Sequence, residues 1–181
     1  MAFNHVSLLD GPVLALLIAR RARRETRFLV AAELMRAPLV GSVLRRYAQI
    51  PLRRGEADGA ALDEAVRALR EGALVGVAPE GRVAADPRSG LQRVRTGAAR
   101  IALASGAPLV PVGIWGTQSR WPRSGLRLRR PWRPQVAMAI GGPILPASDR
   151  LDRHDIDSLT DRLRESMERQ VERARTMADR A

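Results

Sequence analysis

Two kinds of apolar pattern follow each other along this chain. Short apolar runs bounded by turn-forming residues are typical of buried strands, whereas apolar residues three and four apart are typical of a helix face. Strands are predicted at 27–31, 48–52, 73–77, 108–115 and 135–140. Helices are predicted from 12 into the basic run 20–24, at 38–47, from 58 to 72, from 97 to 105 and at 155–179. This alternation predicts one α/β domain over 1–181, with a mixed, mostly parallel sheet flanked by helices.

The C-terminal segment 155–179 is predicted to be an amphipathic helix. Its apolar residues recur at spacings of three and four, which places them on one face. They are Ile156, Leu159, Leu163, Met167 and Val171. Such a stripe indicates core packing rather than a surface for a partner. The Pro- and Arg-rich stretch 120–134 is predicted to be a surface loop.

The charge balance adds information about partners. The chain has 31 basic residues, all arginine, against 19 acidic ones, and a formal net charge of +12. This excess favours anionic partners, such as nucleic acid, an anionic membrane or phosphorylated small molecules. The absence of cysteine excludes disulfides and thiolate metal sites. The longest uncharged apolar run, 11–19, is too short to span a bilayer, and no signal peptide pattern opens the chain.

The segment 4–10 holds a histidine and an aspartate five residues apart, His5 and Asp10. Neighbours on a regular helix are three or four residues apart, so this pair can meet only in a turn that leads into a helix. The carboxylate can then keep one imidazole nitrogen protonated, while the other takes a proton from a hydroxyl group. The alternative is that Asp10 caps the helix and His5 is an ordinary loop residue. Read alone, these seven residues favour that alternative.

Two further segments could bind an anion. Pro79, Glu80, Gly81 and Arg82 follow a predicted strand, where α/β sheets commonly bind ligands, and arginine offers a planar fork for phosphate. The alternative is a turn with a surface ion pair. The segment 50–55 ends a short strand with two arginines. Read in isolation, it is a solvated basic turn.

In this order, the segments resemble the conserved blocks of the glycerophospholipid acyltransferase family, which includes the lysophosphatidic acid (1-acylglycerol-3-phosphate) acyltransferases. Residues 4–10 are similar to its N-H-x-x-x-x-D block and 50–54 to its second block. Residues 79–81 are similar to its P-E-G core and 110–112 to its apolar-Pro-Val strand, with a matching helix at 97–102. The resemblance spans about 4–115, and 135–144 is consistent with a closing strand.

The resemblance implies transfer of a fatty acyl group from acyl-CoA or acyl-carrier protein to 1-acylglycerol-3-phosphate, which gives phosphatidic acid. His5 would be the general base and Asp10 its orienting partner. The acceptor phosphate would be held by Arg54, with Glu80, Gly81 and Arg82 in the same pocket. Supporting roles would fall to Asn4, Gly11 and Pro79. Neither a metal nor a cofactor beyond the donor would be required.

The chain departs from the family pattern in three places. Gly81 is followed by Arg82-Val83-Ala84 where the family has Thr-Arg-Ser, so Arg82 takes over the phosphate contact or that contact is weaker. Arg53 stands where the family has aspartate. Met1 to Phe3 alone precede Asn4, so we expect the usual N-terminal strand and helices to be missing.

The basic runs 20–27 and 120–133, the second with Trp121 and Trp132, suit either a nucleic acid or an anionic membrane. No nucleic-acid-binding signature accompanies them. We therefore expect docking at the cytoplasmic face of the cell membrane and no nucleic-acid partner. Three alternatives stay open: another lysophospholipid or glycolipid acceptor, a non-catalytic arginine-rich module that binds nucleic acid or anionic membrane, and an inactive fragment.

Overall fold

A computed structural model of the chain describes residues 1–21, 24, 26–53, 58–128, 134–147 and 151–180. The strands are β1 (Ala2–Phe3), β2 (Thr26–Ala31), β3 (Ile50–Leu52), β4 (Leu74–Gly76), β5 (Pro111–Trp115) and β6 (Ala137–Ile140). The α-helices are α1 (Asp10–Arg21), α2 (Pro38–Arg46), α3 (Gly59–Arg70), α4 (Gly97–Ser105) and α5 (Arg153–Arg180). Short 3-10 turns lie at Ala32–Arg36, Pro87–Ser89 and Thr117–Ser119.

The strands pair in two three-stranded halves, β3-β2-β4 and β1-β5-β6, which an isolated bridge joins side by side. Pairing is parallel throughout except for β6, which runs antiparallel to β5. The two halves join where Ala2 bridges Val77 just beyond β4, through hydrogen bonds from Phe3 N–H to the Val77 carbonyl (3.0 Å) and from Val77 N–H to the Met1 carbonyl (3.0 Å). The predicted single-domain α/β fold, with a mixed and mostly parallel sheet, is confirmed.

The start of the chain requires a correction. We expected the strand ahead of Asn4 to be missing, but Ala2 and Phe3 form β1 in the middle of the sheet. Two residues suffice because β1 is paired on both sides, with Ala2 N–H donating to the Val110 carbonyl at 2.9 Å. Both side chains are buried, Ala2 among the core residues of one sheet face and Phe3 among those of the other. The chain therefore enters Asn4 and His5 from the centre of the sheet.

The helices cover the two faces of the sheet unequally. On one face, α3, α4 and α5 pack through small and aliphatic side chains such as Ala65, Ile101 and Leu163. On the other face, Leu14 and Ile18 of α1 pack against Phe3, Phe28, Val112 and Ile114. Helix α5 contains the predicted amphipathic segment and directs its apolar stripe inward.

Gly113 of β5 shows how closely α5 approaches the sheet. A Cβ atom at this position would overlap the backbone of Gln170 and Val171. Glycine is therefore required because strand and helix backbones are in contact here. Within the described residues, none of the helices is both long enough and apolar enough to cross a membrane.

Candidate active site

The carboxyl ends of the parallel strands meet at one edge of the sheet. His5 follows β1, Glu80 follows β4 and Thr117 follows β5. Open α/β sheets bind ligands at this edge because the connecting loops converge there. The fold thus brings together three segments that are far apart in sequence.

His5 and Asp10 form a hydrogen-bonded pair. The His5 Nδ1 atom lies 3.0 Å from Asp10 Oδ2. The same oxygen accepts the backbone N–H groups of Val6 (2.8 Å) and Ser7 (2.7 Å), while Oδ1 accepts the Thr117 hydroxyl (2.6 Å). Because the carboxylate oxygens act as acceptors, Nδ1 is the donor of the pair. In a neutral imidazole with this tautomer, the lone pair lies on the other ring nitrogen, Nε2.

The two members of the pair differ in exposure. The Asp10 side chain is fully buried at the first residue of α1, whereas the His5 side chain retains 19% of its exposure. A buried carboxylate at a helix N-terminus is stabilised by the backbone N–H groups around it. Asp10 thus has a fixed orientation, and the imidazole it holds is accessible to a substrate.

Ser7 connects the turn that holds His5 and Asp10 to the loop after β5. Its hydroxyl donates to the Trp121 carbonyl (2.7 Å) and accepts the Leu9 N–H (3.0 Å). The Leu8 N–H also donates to the Trp121 carbonyl (3.2 Å). The turn between β1 and α1 is therefore fixed from both sides.

Asn4 holds the turn at the other end. Its side-chain amide donates to the Ile114 carbonyl (3.0 Å) and accepts the Ile114 N–H (2.7 Å). The side chain thus continues the β1–β5 pairing for one position beyond β1. Gly11, in contrast, has no described atom within 4 Å of where a Cβ would lie, so packing does not demand glycine there.

Glu80 lies close to His5 and contacts its backbone. Its Oε1 atom accepts the His5 backbone N–H (2.7 Å), and Oε2 accepts the backbone N–H (2.9 Å) and side-chain amide (3.0 Å) of Gln92. The side chain is buried. With both oxygens bonded to protein donors, the carboxylate fixes the backbone of His5. The His5 carbonyl is held as well, by Ala84 N–H at 2.7 Å.

Two exposed arginines lie at the turn after β4: Arg82 is part of the turn, and Arg95 comes from the segment just before α4. Gly81 has φ +74°, which favours glycine, and a Cβ there would lie 3.3 Å from Arg95 Nε. Arg82 is exposed, and Arg95 N–H donates to the carbonyl of buried Pro79 (3.0 Å). The turn therefore brings the Arg95 side chain against Gly81 and places Arg82 beside it.

In the loop that follows β3, the structure describes residues only as far as Arg53. Arg54, the residue predicted to hold the acceptor phosphate, lies outside the described residues. Arg53 donates its backbone N–H to Asp58 Oδ2 (2.8 Å), and its Nε lies 3.6 Å from the same oxygen. That backbone hydrogen bond, with further help from Ala61 N–H and the Arg53 charge, lowers the pKa of Asp58 against the opposing effect of desolvation.

Several residues of this site were missed at the level of sequence. Two residues contact the turn that holds His5 and Asp10, namely Thr117 and Trp121. Two others contact the turn after β4, namely Gln92 and Arg95. The partners in these contacts are 12 to 114 positions apart in sequence, and some contacts are made through backbone groups. None of them belongs to the short blocks 4–10, 50–54 and 79–82. A spacing pattern would not reveal them, because their contacts depend on the sheet order.

Comparisons with known proteins agree with this geometry. A protein-family model described as Acyltransferase matches residues 1–115, and the chain belongs to this family. Among solved structures, the chain is similar to the 1-acyl-sn-glycerophosphate (LPA) acyltransferase PlsC from Thermotoga maritima, with 27% sequence identity and a TM-score of 0.70. That match covers 95% of this chain and 64% of the PlsC chain, so the chain spans less than two thirds of PlsC. No curated protein matches the chain.

Proposed function

We propose that this chain transfers a fatty acyl group from a thioester donor to the free hydroxyl of 1-acylglycerol-3-phosphate, giving phosphatidic acid. The observation that carries the proposal is the accessible His5 imidazole, held by buried Asp10, next to a turn with two exposed arginines. Family membership and the likeness to an LPA acyltransferase support it.

In the proposed reaction, His5 Nε2 takes the proton from the acceptor hydroxyl as its oxygen attacks the thioester carbonyl. A carbon–oxygen bond forms, a tetrahedral intermediate follows, and the carbon–sulfur bond then breaks. The imidazolium returns the proton to the leaving thiolate. Asp10 keeps Nδ1 protonated and stabilises the imidazolium, as the acid does in a Ser-His-Asp triad. The substrate alcohol replaces the serine, so no acyl-enzyme is formed.

The arginines of the β4 turn are the proposed phosphate ligands among the described residues. In 1-acylglycerol-3-phosphate the phosphate and the reacting hydroxyl sit on neighbouring carbons, so the phosphate must bind beside His5. Arg82 and Arg95 flank Gly81, one residue after the Glu80 that holds the His5 backbone. Arg54 keeps the role implied by resemblance. Glu80 and Pro79 we assign to positioning, because the first is buried with both oxygens bonded and the second is buried.

Helix α2 supports docking at an anionic membrane. Leu39, Val40, Val43 and Tyr47 expose large apolar surface, with Leu39 85% exposed. Arginines flank this face, and no acidic residue lies within α2. Apolar side chains rimmed by arginine match the boundary between acyl chains and anionic headgroups. We propose that α2 lies on the inner face of the cell membrane, where the lysophospholipid acceptor would be found.

The proposal is tested by measuring thiol release from acyl-CoA with and without 1-acylglycerol-3-phosphate. Thiol should appear only with the acceptor, and phosphatidic acid should form in equal amount. His5→Ala should abolish both products. His154→Ala is the matched control, because His154 is the second histidine of the chain and is exposed on α5. Retained turnover in a folded His5→Ala protein would contradict the mechanism.

The same assay distinguishes the alternatives. Other lysophospholipids and glycolipids, offered in competition, identify the preferred acceptor. A non-catalytic arginine-rich module would release no thiol with any acceptor, and its binding to nucleic acid or anionic membrane would be salt-dependent and indifferent to His5.

A further inference from the structure

An open cleft of about 630 Å³ lies beside the site and has no part in the proposed chemistry. It is bounded by Ala85–Arg88, the end of β5 at Trp115, the turn residues Gln118 and Ser119, the loop 122–127 and the last turns of α5. We name it the β5 cleft. Its volume is within the range of about 300–1,000 Å³ that small-molecule sites occupy.

The lining of the β5 cleft is suited to an anion. Arg88, Arg127 and Arg175 contribute three guanidinium groups, and none of them forms an ion pair with a carboxylate of the described residues. Two carboxylates, Asp86 and Asp179, also line the cleft. Asp86 already accepts the backbone N–H of Arg88 at 2.9 Å. The lining therefore keeps an excess of one positive charge, with the arginines available for bidentate contacts to phosphate.

Trp115 adds an aromatic surface. The Arg175 guanidinium lies over its indole ring, 5.5 Å from the centroid. An indole that stacks a planar guanidinium can stack a planar base in its place, while the arginines of the lining bind phosphate. The lining therefore favours a ligand that has both a planar ring and phosphates.

The β5 cleft is tied to the His5–Asp10 pair through two segments. Ala85 directly follows Ala84, whose N–H binds the His5 carbonyl. Gln118 directly follows Thr117, whose hydroxyl binds Asp10. The cleft is therefore lined by one segment that follows β4 and another that follows β5, the two strands on either side of β1.

We propose that the β5 cleft binds the phosphate-bearing nucleotide end of an acyl-CoA donor. The inference rests on the proposed function, which needs a thioester donor at His5. The acceptor phosphate must bind next to the reacting hydroxyl, so a cationic cleft reached through Ala85 and Gln118 suits a more distant phosphate. In acyl-CoA the pantetheine arm separates the phosphates and adenine from the thioester. The arm would run from the cleft to His5, with the adenine against Trp115.

Direct binding tests the inference without relying on turnover. Free CoA and pantetheine, which lacks the nucleotide, are titrated into the wild-type protein and into Arg127→Gln/Arg175→Gln. Wild type should bind CoA much more tightly than pantetheine. The double variant should lose about tenfold in CoA affinity for each arginine and leave pantetheine affinity unchanged. Arg173→Gln is the matched control, since Arg173 is exposed on α5 outside the cleft.

Kinetics provide the second measurement. The KM for acyl-CoA should rise in the double variant, while kcat and the rates with acyl-pantetheine stay near wild type. Equal CoA affinity in wild type and double variant, or no preference of the wild type for CoA over pantetheine, would overturn the inference. If the double variant turns over acyl-CoA with an unchanged KM, the inference about the cleft is overturned and the proposed function stands. Loss of CoA binding in a protein without turnover would support the cleft and count against the proposed function.

Discussion

Thr117 offers the sharpest test of how the site is held together, because its single hydroxyl contacts the orienting carboxylate. Thr117→Val replaces that hydroxyl, which donates to Asp10 Oδ1 at 2.6 Å, with a methyl group of similar volume. Thr117 is 1% exposed and Asp10 is fully buried, so water cannot replace the lost donor. A hydrogen bond to a buried charge contributes about 1.5–3 kcal/mol, and the free energy of unfolding should fall by that amount.

Activity should fall as well. Asp10 would be held by fewer donors, so the imidazole would spend less time in the productive orientation. If about 1.4 kcal/mol of the loss is felt in the transition state, kcat falls about tenfold. KM should change little, because Thr117 does not lie at the proposed phosphate ligands. Thiol release and urea denaturation measure the two effects on the same preparations.

Thr117→Ser is the matched control, because it keeps the donor and removes a methyl group. It should retain most of the activity and lose stability only through packing. The reasoning would be refuted if Thr117→Val and Thr117→Ser behaved alike in both assays. A double variant with Asp10→Asn should show strong non-additivity, since both changes disturb one hydrogen bond.

Three further predictions concern the fold and the membrane. Gly113→Ala should destabilise the protein by about 1–3 kcal/mol in thermal melts, because the new Cβ would overlap the α5 backbone. Gly59→Ala is the control and should cause no such loss, because the space around Gly59 is open. Equal melting curves for the two variants would contradict the close packing at Gly113. Asp58→Ala should lower the free energy of unfolding by about 0.5–2 kcal/mol through loss of the α3 cap. The pKa of Asp58 is lowered on folding, so the stability difference between wild type and Asp58→Ala should be complete above pH 3.8 and should shrink as the pH falls below it. Denaturant titrations that show the same stability difference at every pH would contradict this. Leu39→Glu should weaken co-sedimentation with anionic vesicles at unchanged fold, while Leu145→Glu, at an exposed leucine outside α2 and the basic runs, serves as the control. No difference between the two variants would argue against α2 docking.

Much of the fold could be predicted from sequence because its signals are local. Asp58 caps α3 with a bond to Ala61 N–H, and Gly106, with φ +70°, ends α4 where a helix end was expected. Periodicity likewise predicted α2 and β2 to within one residue of their observed bounds. β1 was missed, because two residues carry no periodicity and are held by pairing on both sides.

The site was predictable only in part. The His5–Asp10 contact joins residues five apart, so a short block of sequence could suggest it. Other contacts of the site depend on which loops the sheet brings together. They are the hydrogen bonds that the Glu80 carboxylate accepts from His5 and Gln92, and the one that Asp10 accepts from Thr117. The β5 cleft is of the same kind, since Arg88, Trp115 and Arg175 are far apart in the chain and become neighbours only through tertiary packing.

The supports of the His5 turn come from distant parts of the chain, at sequence separations of 75, 107, 110 and 114 residues. Contacts over such separations form late, because closing long loops costs more conformational entropy than local structure does. The His5 imidazole therefore becomes organised only when the whole domain has assembled. Slow exchange of the His5 amide proton with deuterium would report that this assembly is complete.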